Sequence, residues 1–230
     1  MEVKDRIFVA LDVTEEKFYE LIETLKTATH FKIGFPLFLK IGKKGIDVLK
    51  ERGKKVFLDF KFFDIPNTMS ESAKSIIELG ADFFTVHLSS GYEHLKRVTE
   101  TVKEYGEGKV KVFGVSVLTS FTEDTLREVN VNSEIISQVL HLAEIGKRAG
   151  VDGIVSSPKE LEHLRKNFGR ELFYVTPGIR PSWALKDDQK RVMSFSEAIE
   201  KGADYVVIGR PITKAENPER AFKKIIEEVL

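Results

Sequence analysis

Asp59, Lys61 and Asp64 sit close together in the stretch Asp59-Phe60-Lys61-Phe62-Phe63-Asp64, three charges set among three phenylalanines. Asp59 and Lys61 are two apart, so on an extended strand their side chains share one face. Charged groups alternating with Phe are expensive to bury unless they are paired or put to use. A lysine between carboxylates is equipped for charge stabilisation or proton transfer, although a structural ion pair at a strand end gives the same pattern. Two more charges interrupt apolar runs in the same way: Asp12 closes Ile7–Leu11, and Lys32 lies inside His30–Gly34. Their convergence with Asp59, Lys61 and Asp64 on one rim favours chemistry over packing.

A second group of residues suits an anion. In Gly209-Arg210-Pro211 the glycine permits close approach of backbone N–H groups, and the guanidinium offers a charged, forked donor. Gly178 and Arg180 repeat the pairing upstream, in Thr176-Pro177-Gly178-Ile179-Arg180-Pro181. The segment from Arg180 to Val192 is polar and aperiodic and carries Trp183, Lys186, Asp187, Asp188 and Gln189, as a lid over a site would. Two surface arginines and a plain surface loop are the competing explanations.

These residues need a scaffold that brings distant strand ends together. Eight short apolar runs are spaced along the chain: Ile7–Leu11, His30–Gly34, Lys55–Phe60, Phe83–Leu88, Val110–Leu118, Gly153–Ser156, Leu172–Thr176 and Tyr205–Ile208. Amphipathic stretches lie between them, including Glu15–Ala28, Ser72–Leu79, Ile135–Ala149 and Pro218–Val229. Gly80-Ala81-Asp82, Gly150-Val151-Asp152 and Gly202-Ala203-Asp204 each stop a helix just before an apolar run. Alternation of this kind implies a parallel sheet buried on both faces. The expected architecture is a single (β/α)8 TIM barrel over residues 1–230, with its site at the C-terminal ends of the strands. An open doubly wound sheet is the alternative, but no G-x-G-x-x-G follows the first run.

Composition narrows the function classes. A chain with 42% hydrophobic and 31% charged residues is neither disordered nor membrane-embedded. With 0 Cys, disulfides and thiolate chemistry are excluded. A formal net charge of +0 gives no bulk attraction to nucleic acid or anionic membrane, so any anion is held locally. The short apolar run before Asp12 is too brief for a signal peptide, which leads us to expect a soluble, cytoplasmic protein. His30, His94, His141 and His163 are expected at the surface and His87 in the core. Glu134 and Glu144 read as solvated helix residues, and Asn67 or Thr68 as a cap for the helix that follows.

The motif Asp59-Phe60-Lys61-Phe62-Phe63-Asp64-Ile65-Pro66-Asn67-Thr68 resembles the signature of the orotidine 5′-phosphate decarboxylase family. Ala10-Leu11-Asp12, Lys32-Ile33-Gly34, Ser116-Val117-Leu118-Thr119-Ser120, Thr176 to Pro181 and Val207 to Ile212 follow in the family's order, so the resemblance spans nearly the whole chain. One departure is visible: Phe63 stands where the family usually has His. The resemblance implies conversion of orotidine 5′-monophosphate to uridine 5′-monophosphate and CO2, in pyrimidine biosynthesis, by a lyase without cofactor or metal. It implies a homodimer in which Asp64 and Thr68 reach into the partner's site. It also implies roles: Lys61 as the charged proton donor held by Asp59 and Asp64, Asp12 and Lys32 at the ribose, Thr119 at the pyrimidine, and Pro177 among the substrate-binding residues. Gly209, Arg210, Gln189 and Arg180 are implied at the phosphate. Sister barrels, such as Mg-dependent sugar-phosphate decarboxylases and hexulose-phosphate synthases, share Asp-x-Lys-x-x-Asp but resemble one another in a Glu where this chain has Lys32. A non-catalytic nucleotide-binding barrel is the rival from another class.

Overall fold

In the computed structural model, residues 1–181, 183 and 193–229 are described. Strands and helices alternate as β1 (Ile7–Ala10), α1 (Glu15–Thr24), β2 (His30–Gly34), α2 (Phe35–Glu51), β3 (Lys55–Phe62), α3 (Pro66–Glu78), β4 (Phe83–His87) and α4 (Tyr92–Tyr105). The second half runs β5 (Lys111–Val115), α5 (Glu123–Glu128), α6 (Ile135–Ala149), β6 (Gly153–Val155), α7 (Leu161–Phe168), β7 (Phe173–Pro177), α8 (Phe195–Glu200), β8 (Tyr205–Ile208), α9 (Arg210–Thr213) and α10 (Pro218–Glu227). Each strand pairs in parallel with its sequence neighbour, and β1 closes on β8 through Phe8 opposite Val207. That closure makes the sheet a (β/α)8 barrel and rules out the open doubly wound alternative. No helix among the described residues is long and apolar enough to cross a membrane.

Local chemistry sets the boundaries. Thr14 caps α1 by accepting from the Lys17 N–H, and Ser194 and Glu197 form a reciprocal capping box on α8. α3 begins at Pro66, whose fixed φ suits a first helical position, so Asn67 and Thr68 lie inside its first turn and cap nothing. The expected start at Ser72 was therefore late, because the polar opening turn hides the helical period. Gly80, Gly150 and Gly202 all take positive φ, of 78°, 86° and 102°.

The aspartate after each of these glycines ties neighbouring strands together. Asp82 accepts from the Val56 N–H at 2.9 Å, Asp152 from the Val112 N–H at 2.8 Å, and Asp204 from the Tyr174 N–H at 2.8 Å. Each sits at the N-terminal end of a strand and clasps the N-terminal end of the one before it.

Two cores result from the period-two alternation. Outward residues such as Ile7, Val9, Ile33 and Leu58 pack against the helices, while Phe8, Phe57, Phe83, Phe113 and Tyr205 fill the barrel's interior. Phe8 is central to this aromatic floor, with ring centroids 4.8 Å from Phe57, 5.0 Å from Phe83 and 5.1 Å from Tyr205. His30 joins it, 9% exposed and 5.5 Å from Phe8, with the Thr29 hydroxyl 2.8 Å from its Nδ1. That corrects the expectation of a surface histidine: β2 turns His30 inward on the same alternation that turns Lys32 inward. His141 and His163 are exposed as expected, and His94 is half-buried.

Candidate active site

Two residues above the aromatic floor, the inward positions change character. Phe8 is followed on its face by Ala10 and then Asp12, His30 by Lys32, Phe57 by Asp59, and Phe83 by Thr85. The polar layer therefore lies on an apolar, tightly packed base; Lys32 and Asp59 are largely buried in it, while the Asp12 and Lys61 side chains open to solvent, 69% and 37% exposed.

The charges form a chain across β1, β2 and β3. Lys32 Nζ lies 3.6 Å from Asp12 Oδ1 and 3.3 Å from Asp59 Oδ2, and Lys61 Nζ lies 2.8 Å from Asp59 Oδ1. Within one chain, then, a carboxylate is held between two lysines. Burial pulls the Asp59 carboxyl upward, but the charges of Lys32 and Lys61, with hydrogen bonds from Lys61 and Thr85, hold it below the usual carboxylate range. Asp59 is thus a fixed negative charge that anchors two ammonium groups at the barrel mouth.

Strand β3 departs from regular geometry here. Leu58 pairs with Phe84 and Phe62 with Val86, so Asp59, Phe60 and Lys61 stand opposite Thr85 alone. Lys61 takes φ 50°, and its N–H donates to the Thr85 hydroxyl at 2.8 Å. Simple alternation anticipated the shared face of Asp59 and Lys61 but not this bulge. Phe60 packs outward on Phe35 and Phe38 of α2, at 4.6 and 4.9 Å between ring centroids.

A cavity of about 470 Å³ opens above this layer, a size suited to a nucleotide. It gathers most of the residues singled out in the sequence: Asp12, Lys32, Asp59, Lys61, Thr119, Pro177, Arg180, Gly209 and Arg210. One wall is apolar, built from Val115, Val117, Leu118 and Val155. On the other side of β1 from β2, β8 runs through Gly209 into the opening turn of α9, and beside it β7 ends at Pro177, followed by Gly178 at φ 78°. A Cβ on Gly209 would come 3.4 Å from that of Ala10, so the glycine admits a close approach of β8 and β1. The first N–H groups of a helix lack intrahelical acceptors and favour an anion, and Arg210 adds a positive charge beside them.

Other expected residues lie elsewhere. Asp64 is exposed on the rim, its carboxylate accepting from the Ile65 N–H at 2.7 Å, and it does not reach Lys61 within the chain. Thr68 is exposed on α3. Gln189 lies outside the described residues, as does most of the expected lid. At its base, the Arg180 N–H donates to the Met193 carbonyl at 3.1 Å. His87 ends β4 half-buried, stacked on Phe63 at 5.7 Å between centroids. Burial and the nearby charge of Lys61 hold its pKa below the usual imidazole value. Thr85 is the functional-layer residue that sequence reasoning missed; counting by twos from Phe83 would have found it.

Residues 5–225 match the Orotidine 5′-phosphate decarboxylase / HUMPS family. The orotidine 5′-phosphate decarboxylase of Geotalea daltonii is 40% identical over 235 residues, covering 100% of this chain and 98% of that protein. The enzyme of that name from Nostoc sp. is 42% identical over 231 residues, covering 98% and 97%. Among solved structures, orotidine 5′-phosphate decarboxylase from Lactobacillus acidophilus superposes with a TM-score of 0.87 at 36% identity, covering 98% of this chain and 99% of that one.

Proposed function

From the premise that the chain belongs to the orotidine 5′-phosphate decarboxylase / HUMPS family, we propose that it converts orotidine 5′-monophosphate to uridine 5′-monophosphate and CO2, in the cytoplasmic synthesis of pyrimidines. The observation that carries this reading is the Lys32–Asp59–Lys61 array at the floor of a nucleotide-sized cavity.

The chemistry follows from where charge develops. The bond from C6 to the carboxylate breaks, CO2 leaves, and the electron pair stays on C6 in the ring plane, where the π system cannot delocalise it. A preorganised positive charge must stabilise it from outside. Lys61 supplies that charge, then transfers a proton from Nζ to C6 and regains one from solvent. Asp59 orients Lys61 through the 2.8 Å contact between its Oδ1 and the lysine Nζ. Asp12 and Lys32 bind the ribose hydroxyls, and Thr119 and Pro177 border the pyrimidine. Arg210, Gly209, Arg180 and Gln189 grip the phosphate, whose binding energy helps order the site for the distant reaction.

The site is completed in a homodimer under this proposal. Phe63 and Ile65 beside Asp64 are 63% and 64% exposed, and Phe35 and Leu39 on α2 are 46% and 74% exposed. Large apolar side chains exposed around a site in this way support a surface that a second copy covers. Asp64 and Thr68 then enter the neighbouring site, where Asp64 completes an Asp-Lys-Asp array and stands near the substrate carboxylate.

The sister sugar-phosphate reaction is less well supported. The ammonium of Lys32 already lies between Asp12 and Asp59, where a divalent ion would have to compete with it. The test is to incubate the protein with orotidine 5′-monophosphate and a chelator and to follow the pyrimidine absorbance. We expect conversion in the parent and a loss of at least roughly 1,000-fold in Lys61→Ala, with uridine 5′-monophosphate still bound. Chelator-sensitive turnover, or near-normal activity in Lys61→Ala, would overturn the reading.

A further inference from the structure

Building on the decarboxylase reading, we propose that Thr85 is a positioning residue for Lys61, fixing the lysine's backbone and its carboxylate partner through a single hydroxyl. Thr85 Oγ1 accepts from the Lys61 N–H at 2.8 Å and donates to Asp59 Oδ1 at 3.0 Å. The same Asp59 oxygen accepts from Lys61 Nζ at 2.8 Å. The contacts close a ring: the lysine's N–H, the threonine hydroxyl, the aspartate oxygen and the lysine's own ammonium. Thr85 is fully buried at 0% exposure and does not line the cavity, so it acts on substrate only through these two residues.

Lys61 has a particular need for this hold. A side chain bearing Cβ is uncommon at φ 50°, and such a conformation persists only where its surroundings enforce it. The bulge places Asp59, Phe60 and Lys61 opposite Thr85 alone, so the hydroxyl receives an N–H that the disrupted ladder leaves without a strand partner. Strand β4 itself does not require a hydroxyl. Valine has the same shape and fits a buried strand as well as threonine does. The polar atom serves the bulge, and through it the direction of the Lys61 side chain.

Thr85→Val removes the hydroxyl and keeps the volume, Thr85→Ala removes it with less bulk should valine impair folding, and Thr85→Ser restores it. Loss of one hydrogen bond to a charged group predicts a kcat lower by roughly 10- to 100-fold in Thr85→Val or Thr85→Ala, with KM changed only a few-fold. Asp59 also loses a bond to its charged form, so the acid limb of the pH profile moves to higher pH. Amide exchange at Lys61 should quicken, and Thr85→Ser should approach the parent on every measure. Parent-like kcat, pH profile and Lys61 amide protection in Thr85→Val and Thr85→Ala would overturn the proposal. An inactive parent would instead defeat the decarboxylase reading, while amide exchange and the Asp59 titration would still decide whether Thr85 holds the array.

Discussion

A carboxyl group walled off from water ordinarily keeps its proton, and Asp59 does not, because two ammonium groups face it. Glu160 shows what happens without them. It is also buried, at the turn before α7, where its carboxylate accepts from the Ser157 N–H at 2.7 Å. Burial outweighs that bond and the charge of Lys159, and its pKa is pushed up to about 7. In the unfolded chain it titrates near ~4.3. The folded state therefore binds the proton more tightly, and the stabilisation this gives is complete below the unfolded pKa and lost as pH rises through about 7. Glu160→Gln keeps the acceptor and removes the charge. It should stabilise the fold at about pH 8, on the order of 1–3 kcal/mol, with the gain shrinking toward about pH 4. Urea unfolding across that range checks it; a pH-independent difference would mean that Glu160 titrates as an ordinary carboxyl.

At the scale of elements, the two ends of the barrel do different work. The C-terminal ends carry the charge array, and the N-terminal ends carry the aspartate clasps. Asp82 receives the Val56 N–H and the ammonium groups of Lys50 and Lys55, at 2.9, 2.7 and 2.8 Å. Asp82→Ala leaves a buried N–H without its acceptor and should cost roughly 2–4 kcal/mol. kcat, measured where the variant is folded, should stay unchanged, because the clasp lies at the opposite end of the barrel; a fall in kcat without a fall in unfolding temperature would refute this division of labour. The strands and their punctuation were legible because buried parallel strands must be nearly all apolar and their helices must stop somewhere. What one strand does to another was not legible. The bulge at Lys61 depends on Thr85 across the ladder, and a threonine in Phe83-Phe84-Thr85-Val86-His87 reads as one more β-branched residue. His30 was misplaced for a related reason: its place beside an amphipathic segment suggested surface, while inward alternation put it among aromatic rings.

For the whole molecule, Asp64 raises the question of what a single chain can complete. The sequence reading set it on one rim with Lys61, and the resemblance assigned it to a partner's site; within the chain it stands on the rim, turned to its own Ile65 N–H, with exposed Phe63 and Ile65 flanking it. Spacing along one chain carries no register between two copies, so a role for Asp64 in a neighbouring copy came only from the family resemblance and remains to be tested by experiment. A shared site makes a quantitative demand. Lys61→Ala and Asp64→Ala should each be inactive alone, the first for want of the proton donor and the second for want of the completing carboxylate. Unfolded together and refolded as an equal mixture, half of the dimers should be hybrids. In each hybrid, one site carries both lesions and the other carries neither, so activity should return to about a quarter of the parent value. Ile65→Arg in both partners should abolish the recovery by placing charge at the apolar contact, and sedimentation should then show monomers. No recovery from the mixture, with dimers demonstrably present, would confine each site to its own chain and return Asp64 to the solvent-exposed rim.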